Sequence, residues 1–221
     1  MLVWLSSLAV LAVGAGPGRA SAQDAPGTER KPAGMTVAIL VADAFEQVAL
    51  TGLRKALDAV GAKTVLVAPH PGQVRAWNLA NWGDMFDVDR PLGQARAEQF
   101  DAQLLPGGVG NTDLLRVNGD EVKFVRASFD AGKPVASICH GPWSLIEAGV
   151  VKGRRMTAWP SLKTDLQNAR ATWENKEAVT DNNLVTSRMP ADIPAFNRHM
   201  IDLFAAGKPG TGSAPSGTAR R

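Results

Sequence analysis

A repeated alternation of short apolar runs with amphipathic segments constrains this chain more than any other feature. Residues 36–41 (TVAILV) form a continuous apolar run, the pattern of a strand buried on both faces of a parallel sheet. Apolar residues then return at helical spacing over residues 46–60, at Val48, Leu50, Leu53, Leu57 and Val60, and Gly61 ends the segment. Residues 63–68 (KTVLVA) read as a second strand, and 101–105 (DAQLL) as a third that runs into Pro106-Gly107-Gly108. A helix over 120–131 is closed by Gly132, and 134–138 (PVASI) make a fourth strand. Downstream come a helix (143–148), a short strand near 156–158 and a helix (161–169). Short strands at 171–173, 178–180 and 184–187 follow, with a closing helix over 191–204. This recurrence predicts an α/β fold, an open and mostly parallel sheet with helices on both faces. Ligands in such sheets bind beyond the carboxyl ends of the strands, where Asp43, Gly107 and Cys139 fall.

The 221 residues suit one domain with tails, placed here at residues 35–206. Leu2 to Ala15 is almost wholly apolar, and Ala20-Ser21-Ala22 supplies the small residues of a cleavage site, so residues 1–22 read as a signal peptide although no Lys or Arg precedes the apolar run. That run is too short for a membrane span, which needs about 20 residues. The expected location is periplasmic or secreted, and cytoplasmic if the leader is not used. Residues 23–34 read as a polar linker and 207–221 as a disordered tail. The net charge of +3 lives in these ends. Removing Arg19, Arg30, Lys31, Lys208, Arg220 and Arg221 leaves 18 of the 24 basic residues, and removing Asp24 and Glu29 leaves 19 of the 21 acidic ones. The near-neutral middle offers no nucleic-acid surface.

Cys139 is the single cysteine, so no internal disulfide forms, and an exported chain would carry a free thiol. It stands where a buried strand ends and a helix begins, with Pro142 suited to the first helical turn. A thiol facing unpaired N–H groups and the positive end of a helix dipole is expected to favour thiolate. A lone cysteine is more often a buried small hydrophobe. Strand-end placement, the neighbouring His140 and the Gly141-Pro142 exit select the nucleophile reading instead. The geometry is that of a nucleophile elbow, although Gly-x-Ser-x-Gly is absent. Backbone N–H groups following the cysteine through Gly141, or those of Gly107, Gly108 and Val109, are candidates to stabilise an oxyanion. His140 is adjacent in sequence, which alone does not make a dyad. Glu46 sits at a helix start, as many acids do. Arg188 and Trp143 are candidates for lining the site, and Trp77, Trp82, Trp159 and Trp173 for a pocket wall or for packing. His70 and His199 lack metal-ligand spacing, and Pro-Gly-Gly-x-Gly lacks the Lys-Ser/Thr of a phosphate loop, so neither a metal nor another cofactor is expected.

Five blocks, VADAFEQVAL, FDAQLLPGG, GKPVASICHGPWSLIEAGVVKGRR, WPSLKTDLQNA and LVTSRMPADIPAF, resemble the PfpI family of the ThiJ/PfpI superfamily in order and spacing from Met35 to about Phe204. The resemblance implies a flavodoxin-like three-layer sandwich with Cys139 as elbow nucleophile and Glu46 as the carboxyl that tunes the thiol. It implies His140 as general acid or base, oriented by a carboxylate from a neighbouring subunit. Asp113 falls at that carboxylate's place, an Asp where some members have Glu, and the assignment requires a homo-oligomer. It also implies cysteine-dependent hydrolase, deglycase or glyoxalase chemistry in stress protection, on peptides, glycated proteins or free aldehydes. Glutamine amidotransferases share the elbow but want a downstream His-x-Glu, whereas His199 is followed by Met200 and Ile201. A redox sensor or chaperone, signalling through oxidised Cys139, stays open as the reading from another class. A transcription regulator is disfavoured because no helix-turn-helix domain follows the core.

Overall fold

The computed structural model describes residues 32–207, so the leader expected over 1–22, most of the linker and the tail from 208 lie outside the described residues. The first half runs β1 (Thr36–Leu40), β2 (Phe45–Glu46), α1 (Gln47–Ala59), β3 (Lys63–Ala68), β4 (Gln73–Asn78), β5 (Asn81–Asp87), β6 (Arg90–Pro91) and β7 (Ala102–Leu105). Then come α2 (Val109–Arg116), α3 (Gly119–Asp130), β8 (Val135–Ile138), α4 (Pro142–Glu147), β9 (Arg155–Met156) and α5 (Lys163–Asn168). The chain closes with β10 (Thr172–Trp173), β11 (Ala178–Asp181), β12 (Leu184–Ser187) and α6 (Ile193–Gly207).

Seven strands form the central sheet in the order β11-β12-β8-β7-β1-β3-β6. All pairings are parallel except β11 with β12. Successive side chains on a strand face opposite ways, so β1 feeds two cores. Val37 and Ile39 pack with Leu50, Leu53 and Leu57 of α1 and Phe196, Met200 and Phe204 of α6. Ala38 and Leu40 pack on the other side with Phe124 and Val125 of α3, Leu145 of α4 and Leu166 of α5. The result is a flavodoxin-like three-layer α/β sandwich, and both faces of β1 are buried, as its unbroken apolar run requires. None of the helices among the described residues is long and apolar enough to cross a membrane.

Besides the two-residue strands β2 and β6, two elements are additional to those expected. Gln73–Asn78 and Asn81–Asp87 form an antiparallel hairpin, joined to β2 in a three-stranded side sheet. Within its strands only Val74 and Ala76 are buried, and its tip is Leu79-Ala80 rather than an Asn-Gly turn, so neither the hydrophobic pattern nor the turn chemistry announces it. The other is α2, whose opening Val-Gly-Asn-Thr is built from poor helix formers.

Candidate active site

Cys139 directly follows β8 and holds a left-handed backbone, φ +62. That conformation costs a non-glycine residue about 1–2 kcal/mol and persists only where the surroundings enforce it. Both backbone groups are held: Cys139 N–H donates to Ser187 O on β12 at 3.0 Å, and its carbonyl accepts from Trp159 N–H at 2.9 Å. Gly107 at the end of β7 makes room for the elbow, because a Cβ there would lie 2.5 Å from Cys139 Cβ and 3.0 Å from Sγ. Gly141 is equally confined, its absent Cβ falling 2.5 Å from Ser137 Oγ and 2.6 Å from Leu105 O.

The turn after β7 approaches the thiol from the other side. Gly108 is left-handed (φ +102), and a side chain on it would strike the backbone at Ala44, Phe45 and Glu46. Buried Asn111 of α2 holds this turn, accepting Ala42 N–H at 2.7 Å and donating to the carbonyls of Pro106 (3.2 Å) and Gly107 (3.1 Å). Backbone N–H groups of Gly108 and His140 face the sulfur and favour its anion. They are outweighed: burial pushes the Cys139 thiol up to about 11, and the Glu46 carboxylate adds to the rise. Burial thus works against the thiolate that the helix terminus and these N–H groups favour. The reason is physical, since the thiol is 7% exposed and α4 is only six residues long and opens on Pro142, which has no N–H.

His140 Nδ1 lies 3.1 Å from Cys139 Sγ. Burial lowers the imidazole pKa and favours the neutral ring, whose Nδ1 accepts the thiol proton in the tautomer protonated at Nε2. The ring stacks on Trp159 (centroids 5.6 Å apart, 26° between planes) and meets Trp143 at 5.2 Å. Glu46 caps the start of α1 and turns its carboxyl into the same cavity, where burial raises its pKa and the Leu79 N–H pulls against that rise.

The cavity has a volume of about 600 Å³. Cys139, His140 and Glu46 line it together with Gly108, and Trp77, Leu79, Val109, Trp159 and Pro190 supply most of its apolar wall. Not every expected residue reaches it. Trp143 lies outside the wall, backing His140 and donating its indole N–H to Asp165 at 2.8 Å. Arg188 is occupied by a bidentate pair with Asp192 (2.8 and 3.0 Å) and by Asn175 (2.8 Å), bracing the segment that delivers Pro190. Of the tryptophans among the described residues only Trp77 and Trp159 face the cavity, and Trp82 packs edge-on against Trp77. Leu79 and Pro190 carried no signal in the sequence, because the hairpin tip and the return after β12 reach the site only through the fold. Asp113 is exposed on α2, and no hydrogen bond or ion pair joins it to His140 within one chain. Among the described residues no cluster of His, Cys, Asp or Glu is placed to hold a metal ion.

The DJ-1/PfpI family profile matches residues 35–203. Deglycase PfpI of Pyrococcus furiosus is 36% identical over 170 residues, covering 77% of this chain and 99% of that one. Protein/nucleic acid deglycase 2 of Escherichia coli is 36% identical over 171 residues, covering 77% and 98%. Among solved structures, Drosophila melanogaster DJ-1beta superposes with a TM-score of 0.68 at 26% identity, covering 77% of this chain and 90% of that one. Fold, cysteine elbow and sequence agree, and the chain belongs to the DJ-1/PfpI family.

Proposed function

We propose that this protein is a cysteine-dependent deglycase-type hydrolase that removes reactive carbonyl groups, free or attached to protein, in protection against carbonyl stress. The observation that carries this reading is the buried Cys139 thiol, strained at an elbow and 3.1 Å from a neutral imidazole, at the floor of a cavity it shares with Glu46. The names of the relatives, deglycases at 36% identity, support the substrate class.

With methylglyoxal the steps balance without an external oxidant. His140 Nδ1 takes the thiol proton as Sγ bonds to the aldehyde carbon, and the carbonyl electron pair becomes a hydroxyl on proton return. Glu46 carries the C–H proton of that carbon to the neighbouring ketone carbon through an enediol, while the new hydroxyl's proton passes to the ketone oxygen, so the first carbon is oxidised to a thioester and the second reduced to an alcohol. Water then cleaves the thioester, releasing lactate and restoring the thiol. A glycated amine follows the same course, with the C–N bond breaking and a proton passing to the amine.

A second copy of the chain completes the site in this reading, its Asp113 orienting His140. What supports it is the apolar character of α2 beside that acid, where Val109, Leu114 and Val117 are all exposed. Export on a leader cleaved after Ala22 belongs to the same proposal, and N-terminal sequencing of the protein from its native cell tests it. The functional test is a substrate panel of methylglyoxal, a glycated peptide and aminomethylcoumarin peptides. Consumption of the first two supports the reading, cleavage of the coumarin peptides alone makes the protein a peptidase, and inactivity on all three leaves the redox sensor.

A further inference from the structure

The cavity is far larger than methylglyoxal needs. About 600 Å³ lies inside the roughly 300–1,000 Å³ range of pockets that enclose drug-sized ligands. Its wall is also chemically one-sided. Among the described residues of one chain, the titratable side chains lining it besides Cys139 are Glu46 and His140, and no Lys or Arg of those residues lines it. The rest of its side-chain surface is apolar, with Trp77, Leu79, Trp159 and Pro190 forming a wall that faces the thiol.

Leu79 gives this wall its rim. It sits at the tip of the β4–β5 hairpin in a left-handed conformation, φ +58, that disfavours a branched apolar residue. Its carbonyl is held by Trp77 Nε1 at 2.8 Å, and its N–H works against the rise that burial gives the Glu46 carboxyl. The side chain is left 76% exposed at the cavity mouth. One residue thus ties the acid that serves the reaction to an uncovered apolar surface beside it.

We propose that Trp77, Leu79 and Trp159 form a subsite for an aromatic or branched apolar group carried next to the reacting aldehyde carbon, so that the preferred substrates are bulky uncharged ketoaldehydes rather than glyoxal or methylglyoxal. This specificity rests on the carbonyl chemistry proposed above, but the subsite itself is read from the wall and is tested separately. A phenyl group fills it, and small aldehydes leave most of it wet.

Calorimetric titration of the Cys139→Ala protein with acetophenone, and with acetone as the small control, reads the subsite without turnover. Acetophenone is expected to bind at least about tenfold more tightly than acetone. Leu79→Asn, which tolerates the left-handed backbone while removing the apolar rim, is expected to weaken acetophenone about three- to tenfold. In the active protein kcat/KM for phenylglyoxal exceeds that for methylglyoxal by roughly tenfold or more, and Leu79→Asn lowers that ratio. Acetophenone binding no tighter than acetone, or a ratio near one in an active enzyme, overturns the subsite while leaving the catalytic reading intact. Tight acetophenone binding in a protein that consumes neither aldehyde upholds the subsite and rejects the catalytic reading.

Discussion

His140 Nδ1 stands 3.1 Å from Cys139 Sγ although the two residues are neighbours in the chain. Adjacent side chains on a strand point to opposite faces. They converge here because Cys139 leaves β8 in a left-handed turn, φ +62, with its backbone clamped to Ser187 and Trp159. The dyad is a product of backbone strain, and the strain is measurable.

At an ordinary buried position glycine is less stable than alanine by about 0.4–1 kcal/mol. At position 139 the left-handed backbone reverses that order. Cys139→Gly is expected to be as stable as Cys139→Ala or more stable, by up to about 1 kcal/mol, in urea denaturation.

Glu46 has two separable effects on the thiol. Its carboxylate raises the Cys139 pKa, so Glu46→Gln lowers it and increases the thiolate fraction at pH 8. Iodoacetamide is therefore expected to alkylate Glu46→Gln faster than the wild type at that pH. Turnover of methylglyoxal falls in the same variant by about 10²-fold or more, because the proton shuttle is lost.

Glu121 supplies a test of the core that is independent of catalysis. It lies on α3, fully buried, and burial raises its pKa to about 7, with Glu147 adding to the rise and the Ser144 hydroxyl pulling the other way. The ordinary carboxyl value is 4.5, so between pH 4.5 and 7 the folded protein holds a proton that the unfolded chain has released. Stability therefore falls as pH rises through that window, by about 3 kcal/mol, and levels off above it. Urea midpoints at pH 5 and pH 8 check the slope, and Glu121→Leu flattens it and is more stable than the wild type at pH 8.

The proposed subunit interface has separable packing and chemical parts. Leu114→Glu places a charge on the exposed apolar side of α2 and is expected to shift sedimentation toward monomer with a parallel loss of activity. Asp113→Asn is expected to leave the assembly intact and to lower kcat, because in the proposed arrangement its carboxylate orients His140 of the second copy. A fully active monomer would remove Asp113 from the mechanism.

The central sheet was legible because β1, β3, β7 and β8 are buried on both faces and announce themselves as apolar runs, while α1 shows its buried stripe at Leu50, Leu53 and Leu57. The elbow was legible from Cys139-His140-Gly141-Pro142 following such a run. The side of the cavity away from the elbow was not. Trp77 and Trp159 line it while Trp143 and Trp82 do not, and only the register of β4 with β5 and the stacking on His140 separate them. The burial that opposes the thiolate was not legible, because a sequence displays the nearby helix start but not the depth of the thiol. Glu121 was silent for the same reason, as an acid in the first turn of α3 looks like an ordinary dipole partner until its side chain is found inside.

The most direct test of the account is conversion of methylglyoxal to lactate by wild-type protein and by Cys139→Ser prepared alongside it. The account predicts turnover by the wild type and a loss of at least about 10³-fold in the serine variant, with the fold unchanged. A wild type that forms no lactate, or a Cys139→Ser protein that forms it at the wild-type rate, would contradict it.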